Sequence, residues 1–329
     1  MAPKKGSKKG PSKASAPAAK TEAKQENAPN EQKEEEEKPM TNAKAGDKRK
    51  KATTTTDSPQ KEPRRSGRGA PKAQPSQQQL LNFMLSTAAE DLCRPDDETA
   101  DIQTRGNIRT YSSSVLNPFE ELLSAVILSR PISHRLGLRS IRTVLNDPYN
   151  FTNAQAVKDA GDEKHVKAMW DARTQHKEKT AGEIGQIADV VLSKFTGEND
   201  SEGTKLERVR TECNRDVEKE REMLKNNIKG LGKTGLDIFF RRVQWVWDAG
   251  FPFIDGRTAQ SLHKLGLPDQ GEELSKLIEQ HWVNLETKHL AGDDDAGKKR
   301  RALVTVLERA TGSDLEGKNE ALLEAAAAA

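Results

Sequence analysis

The sequence contains few cysteines and few aromatic residues. Only two of its 329 residues are cysteines, Cys93 and Cys213, and phenylalanine, tryptophan and tyrosine together make up 4%. Two cysteines are too few for a disulfide scaffold, a four-cysteine cluster or a cysteine-based zinc site. No apolar run approaches the roughly 18 residues of a membrane-spanning helix, and the basic first residues are unlike a secretory signal. We therefore expect a protein of a reducing compartment, with no membrane partner, no metal and no cofactor.

Large apolar residues are absent from the first part of the chain. No Val, Ile, Leu, Phe, Tyr or Trp occurs before Leu80. Because such a segment cannot bury enough apolar surface to offset the entropy of ordering, we predict a disordered arm over residues 1–79. The arm carries 19 basic and 10 acidic residues, whereas residues 80–329 carry 35 basic and 41 acidic residues. The chain is expected to be a basic arm attached to a mildly acidic body of one large domain or two lobes.

A compact basic tetrad lies within the arm. It consists of Lys48, Arg49, Lys50 and Lys51. Four adjacent cations in an exposed segment are typical of a nuclear import signal, and solubilising charge is the alternative. The tetrad predicts that the protein is located in the nucleus.

The junction between arm and body resembles a sliding-clamp binding box. Gln77, Leu80 and Phe83 fit that pattern, while Met84 replaces its second aromatic residue. A single helical turn would place the three apolar side chains on one side, as a plug for an apolar pocket. The alternative is that this stretch begins the first core helix, running to about Leu92. A sliding clamp is therefore a candidate partner.

The body is predicted to be all-α. Apolar residues recur at helical spacing in most of it, and no stretch alternates apolar and polar residues over the length of a strand. The highly charged stretch from Lys205 to Lys225 predicts a long solvated helix or an insertion.

A glycine-rich segment at residues 228–235 carries the strongest chemical signal. It reads Ile-Lys-Gly-Leu-Gly-Lys-Thr-Gly between two helical stretches. Its glycines let the backbone approach a ligand, and the next helix start favours an anion. A nucleotide P-loop is excluded because Asn227 stands where its first glycine would be, with no strand before it. The segment predicts a helix–hairpin–helix that binds a DNA backbone. The candidate DNA-binding residues are Lys229, Gly230, Gly232, Lys233, Thr234 and Gly235.

A second signal follows at residues 251–255, where the run Phe-Pro-Phe-Ile ends in Asp255 before a new helix. With the glycine-rich segment and the apolar stretch 117–129, the chain resembles the helix–hairpin–helix DNA glycosylase superfamily of the endonuclease III type. The resemblance covers residues 115–266 and is clearest at 117–129, 228–236 and 254–258. It implies an all-α fold of two lobes, with a cleft that receives a damaged base flipped out of the duplex.

The resemblance assigns the catalytic carboxylate to Asp255. This group would stabilise the cationic sugar of the transition state and orient the attacking water. The alternative is that Asp255 is the N-cap of the helix that begins at Gly256, and the two roles are compatible.

The departures from the family pattern bear on the reaction. Bifunctional members have a lysine two residues after the second glycine, where this chain has Thr234. A threonine cannot form the Schiff base for strand cleavage, and one helical step turns Lys233 to another face. We therefore expect a monofunctional enzyme. Members of the family have a glutamine after the opening helix that acts as a wedge in the duplex, and its position falls near Pro131 in this chain. Arg130 is the candidate to fill the gap that the flipped base leaves in the base stack.

Two functions remain open from the sequence. The first is a DNA glycosylase of base excision repair that hydrolyses the N-glycosidic bond of a damaged base. The second is a non-catalytic DNA-binding module that keeps the fold without the chemistry. For both, the expected partner is double-stranded DNA and the expected state is a monomer.

Overall fold

A computed structural model describes residues 74–329. The greater part of the predicted arm, including the basic tetrad Lys48 to Lys51, lies outside the described residues. The predicted all-α class is confirmed, because no strand occurs among residues 74–329. The thirteen α-helices of this part are α1 Gln77–Leu85, α2 Asp96–Arg105, α3 Pro118–Leu128, α4 His134–Leu145, α5 Ala154–Asp171, α6 Lys177–Val190, α7 Glu207–Glu212, α8 Val217–Asn227, α9 Lys233–Val243, α10 Gly256–Lys264, α11 Gly271–His281, α12 Asp295–Leu315 and α13 Asn319–Ala328. Within the described part, no helix is both long and apolar enough to cross a membrane.

The first of two hydrophobic clusters is built around α3 and α9. Helix α3 begins with a capping box, in which Asn117 and Glu120 each accept a backbone N–H of the other, and with Pro118 in its first turn. Ten of its eleven residues are buried. Gly235 of α9 has no room for a side chain, because a Cβ there would lie 2.7 Å from Leu231 Cδ1 and 3.3 Å from Ser129 Oγ at the end of α3.

The second cluster joins α1 to α12 and α13. Leu80 and Phe83 are only 1% and 7% exposed, and Met84 is fully buried beside them. The clamp-binding interpretation is therefore wrong for the folded body, because both apolar anchors are occupied in its core. Gln77, the third residue of that box, donates from Nε2 to the carbonyl of Gly266 at 2.9 Å.

The boundary of the body also differs from the prediction. The first helix begins at Gln77 rather than after residue 79, with Ser76 as its N-cap. The side chain of Gln79 completes a capping box by accepting the backbone N–H of Ser76 at 3.0 Å. The prediction relied on apolar residues alone, whereas the polar cap precedes the first of them by several residues.

The charged stretch after residue 205 is not one long helix. It forms the short helices α7 and α8, separated by Asn214 and Arg215, which both have positive φ angles. Asp216 then caps α8 by accepting the backbone N–H groups of Glu218 and Lys219. Local capping therefore divides a segment whose composition alone favours a continuous helix.

Candidate functional site

The turn between α8 and α9, residues 228–232, is held to the core by two apolar side chains. We call it the glycine turn. Ile228 and Leu231 are 1% and 3% exposed, and the N–H of Leu231 donates to the carbonyl of Ile228 at 3.2 Å. Gly230 has a φ of +85°, which side-chain-bearing residues rarely adopt. The two buried anchors leave Lys229, Gly230 and Gly232 exposed on the outside of the turn.

Helix α9 begins without a side-chain cap. Its N-cap is Gly232, and a Cβ added there would meet no atom within 4 Å. The first N–H groups of an α-helix have no partner within the helix, and the helix dipole makes this end attractive to anions. The arrangement leaves an accessible set of backbone donors beside open space, as a phosphate requires.

Three candidate DNA-binding residues occupy the first turn of α9, but they are not equivalent. Lys233 and Thr234 are exposed, whereas Gly235 is buried against α3. The Cα of Gly235 therefore serves packing, and the predicted DNA contact stays a prediction for its backbone N–H alone. Lys233 Nζ lies 2.7 Å from Asp237 Oδ2.

Arg130 is not free to act as a wedge. Its guanidinium forms an ion pair with Glu183 of α6, and the two side chains are only 14% and 8% exposed. A largely buried charge is stabilised by such a partner, and moving the guanidinium into DNA would leave the buried Glu183 with only the longer contact to Lys179 at 4.0 Å. The predicted stacking role is corrected to a structural link between α6 and the end of α3.

Asp255 lies at the N-terminus of α10, in a segment held by Gln244. The side chain of Gln244 is 1% exposed, donates to the carbonyl of Phe253 at 2.9 Å and accepts the N–H of Phe253 at 2.8 Å. This pair of hydrogen bonds fixes the apolar run two residues before the carboxylate. The sequence did not identify Gln244, because a glutamine within an apolar helix carries no recognisable pattern.

The carboxylate of Asp255 accepts hydrogen bonds from four donors. Oδ1 accepts the backbone N–H groups of Arg257 at 3.0 Å and Thr258 at 3.2 Å. Oδ2 accepts the Thr258 hydroxyl at 2.7 Å and Nη1 of Arg241 at 2.8 Å. Burial opposes ionisation, but the Arg241 charge and the hydrogen bonds outweigh it, so the pKa of Asp255 is held below its usual value. The group is an anion at neutral pH, and it is 8% exposed.

Arg241 connects α9, which belongs to the first hydrophobic cluster, to α10 and α12 of the second. It lies on α9, two helical turns after the glycine turn, and it is 5% exposed. Its Nε donates to Glu308 of α12 at 2.7 Å, so one guanidinium is shared by two buried carboxylates. The sequence analysis did not identify Arg241 as the partner of Asp255, because the two residues are 14 positions apart and only packing brings them together.

A cavity of about 420 Å³ brings these groups together. Lys233, Thr234, Arg241, Asp255 and Glu308 all line it. Its volume falls within the range of small-molecule sites. Lys233 and Thr234 both line this cavity, although one helical step of about 100° separates them on α9.

The described residues contain no group of three or more His, Cys, Asp or Glu side chains that could hold a metal ion. Cys93 and Cys213 are buried free thiols. Comparison with known proteins finds no matching family model, no matching curated protein and no matching solved structure.

Proposed function

We propose that this chain is a DNA-binding protein of base excision repair, a monofunctional glycosylase with Asp255 as its catalytic carboxylate. The observation that supports it best is the shared cavity, in which an ionised, buried Asp255 lies with the exposed start of α9. Phosphate binding at the glycine turn would place the duplex beside a cavity able to receive one base.

The protonation state of Asp255 defines the role we assign to it. A carboxylate with a lowered pKa is a poor base, so removal of a proton from water would contribute little. The same anion, fixed by four donors, is already oriented to stabilise positive charge that develops on the sugar. Electrostatic stabilisation is therefore its principal proposed contribution.

The absence of strand cleavage rests on Thr234 and on the ion pair of Lys233. A threonine hydroxyl cannot form an imine with the opened sugar. Lys233 Nζ lies 2.7 Å from the Asp237 carboxylate, so an attack on the opened sugar would require it to leave this ion pair.

A second function is favoured by the contact between Arg241 and Asp255. A guanidinium 2.8 Å from the carboxylate offsets its charge, as expected of a structural ion pair. In this alternative the chain binds DNA through the glycine turn and has no glycosylase activity. Glu308 accepts a hydrogen bond from the same guanidinium, so the positive charge of Arg241 is divided between two carboxylates. Because the charge of Asp255 is then only partly offset, we place the enzyme first.

The basic arm, residues 1–79, is proposed to contribute through its positive charge. Its net +9 would attract double-stranded DNA without sequence preference, and its tetrad would direct the protein to the nucleus. Unchanged nuclear accumulation of a fluorescent fusion in which Lys48 to Lys51 are replaced by alanine would exclude that part.

The deciding experiment is single-turnover base excision by the wild type and by Asp255→Asn, over duplexes that each carry one damaged base. Asparagine can still cap α10, so the fold is retained while the charge is lost. We expect alkali-labile sites with the wild type, no cleavage without alkali, and a rate reduced by roughly 10²–10³ in the variant.

The matched control is Asp314→Asn, which removes another carboxylate that contacts α10, through Ser261 at 3.0 Å, but lies outside the cavity lining. It should excise at the wild-type rate. DNA binding without excision of any base by the wild type would favour the non-catalytic module. Trapping of a wild-type adduct by borohydride would contradict the monofunctional assignment and point to Lys233.

A further inference from the structure

A second, smaller cavity of about 70 Å³ lies against the other side of the buried ion pairs. Its charged lining consists of Arg242, Arg301 and Arg309 together with the carboxylates Glu90 and Glu308. Three guanidinium groups around so small a space are unusual, because each buried charge needs a partner of opposite sign.

Arg301 of α12 has no such partner. The residue is 7% exposed, and its Nη1 is buried without a hydrogen-bond partner among the described residues. Its guanidinium lies over the ring of Trp245, 5.5 Å from the ring centroid, but no carboxylate of the described part forms an ion pair with it. Burial and the neighbouring charge of Arg242 lower the pKa of Arg301 to about 10, so it remains charged at neutral pH.

The nearby carboxylates are already engaged with other arginines. Glu121 pairs with Arg242 at 2.9 Å, and Glu308 pairs with Arg241 at 2.7 Å. Arg309 pairs with Glu90 at 3.2 Å. Arg241 has a second carboxylate partner in Asp255, so the buried arginines and carboxylates of this group are equal in number. Arg301 is nevertheless the one of these arginines that forms no ion pair within the described residues, and a buried guanidinium without such a partner favours an added anion.

We propose that this cavity binds one small oxyanion, of the phosphate or sulfate class, with Arg301 as its principal ligand. A planar guanidinium donates in a fork that matches two oxygens of such an ion. The volume admits an ion of a few non-hydrogen atoms and excludes a nucleoside. The site is separate from the glycine turn, and it does not depend on glycosylase activity.

The test is thermal unfolding of the full chain at increasing inorganic phosphate, with ionic strength held constant by chloride. We expect the wild-type Tm to rise by roughly 3–5 °C at phosphate ten times its Kd. Arg301→Met removes the unpaired charge and keeps an apolar chain near Trp245, so it should lose the phosphate response and melt at or above the wild type without phosphate. Arg300→Met, which removes the adjacent guanidinium outside the cavity lining, should keep the full response.

A phosphate response that is absent in the wild type, or retained in Arg301→Met, would overturn the proposal. Should Arg301→Met fail to fold, Arg301→Lys keeps the charge without the planar fork, and it should weaken phosphate binding at least several-fold.

A measurement that needs no variant is the phosphorus NMR spectrum of phosphate in the presence of the wild-type protein. We expect the resonance to broaden, and the absence of broadening would also contradict the site. Added undamaged duplex identifies the source of the oxyanion, because displacement of phosphate indicates a DNA phosphate and its persistence indicates a free ion.

Discussion

Helices α9 and α10 both begin at the large cavity, and they begin in opposite ways. Helix α9 starts at Gly232 with no side-chain cap and with open space beside it. Helix α10 starts at Asp255, whose carboxylate accepts two of its first N–H groups. Each helix start leaves its first backbone N–H groups without an acceptor inside the helix. The two starts therefore differ in which group accepts these hydrogen bonds.

The contrast separates two tasks in the proposed function. An uncapped helix start keeps its donors for an anion from outside the protein. A start capped by Asp255 has used its donors to fix a carboxylate that faces the cavity. Arg241 joins the two, because it lies on the first helix and holds the aspartate of the second at 2.8 Å.

The strongest test of the contrast between the two helix starts replaces the exposed glycines of the glycine turn, Gly232 and Gly230, with valine. Gly232→Val places its branches in open space from an extended backbone, so we expect folding close to the wild type and DNA affinity lowered by about tenfold or more. Gly230→Val must adopt a φ of +85°, so we expect a loss of about 1–3 kcal/mol in unfolding free energy. Titration of a labelled duplex and thermal unfolding measure the two effects. If Gly232→Val binds like the wild type, the uncapped start of α9 does not contact DNA.

A smaller effect is expected in the acid dependence of stability. The folded pKa of Asp255 is lowered, so the unfolded chain binds more protons as the pH falls below the usual aspartate value of about 4. The stabilisation from Asp255 is therefore complete above that pH and is lost as the pH falls through the folded pKa. The stability difference between the wild type and Asp255→Asn should be constant near neutrality and shrink below about pH 4.

The control for this effect is Asp216→Asn, which removes the N-cap aspartate of α8, whose cationic partner is the exposed Lys219 at 3.4 Å rather than a buried arginine. Urea unfolding between acid and neutral pH should give it the weaker pH dependence of the two variants. Equal dependence would mean that the buried Arg241 stabilises Asp255 no more than the exposed Lys219 stabilises Asp216.

The smallest effect concerns Lys233, at the uncapped start. Lys233→Gln removes one exposed cation near the proposed phosphate contact, so the slope of log affinity against log salt should fall by about one unit. Base excision should persist, because the proposed reaction has no step at this amine. Lys276→Gln, an exposed cation on α11, serves as the control and should leave the slope unchanged.

The sequence was sufficient for the local features of the body. Helical periodicity predicted the all-α class, and two glycines before a helix predicted the turn at residues 228–232. Asp255 was placed correctly at a helix start, because an aspartate after an apolar run is a capping signal in itself. Each of these features depends on residues that are close together in the chain.

Two errors of prediction came from local caps at Ser76 and Asp216, and the others came from burial and from pairing between distant residues. Leu80 and Phe83 fit a short binding motif, but α12 and α13 cover them. Arg130 was treated as a free side chain, although Glu183 lies beside it in space. Gly235 belonged to a plausible DNA-binding run, and only the approach of α3 reveals its packing role.

The sequence by itself therefore determined the helices, their caps and the separation of a basic arm from an acidic body, because periodicity, capping and charge are local properties of a chain. Only the tertiary structure decided which charges became partners. Arg241 lies between Asp255 and Glu308, whereas Arg301 is left without a carboxylate. The physical reason is that the energy of a buried charge depends on the groups within a few ångströms of it, and packing brings those groups from remote parts of the chain.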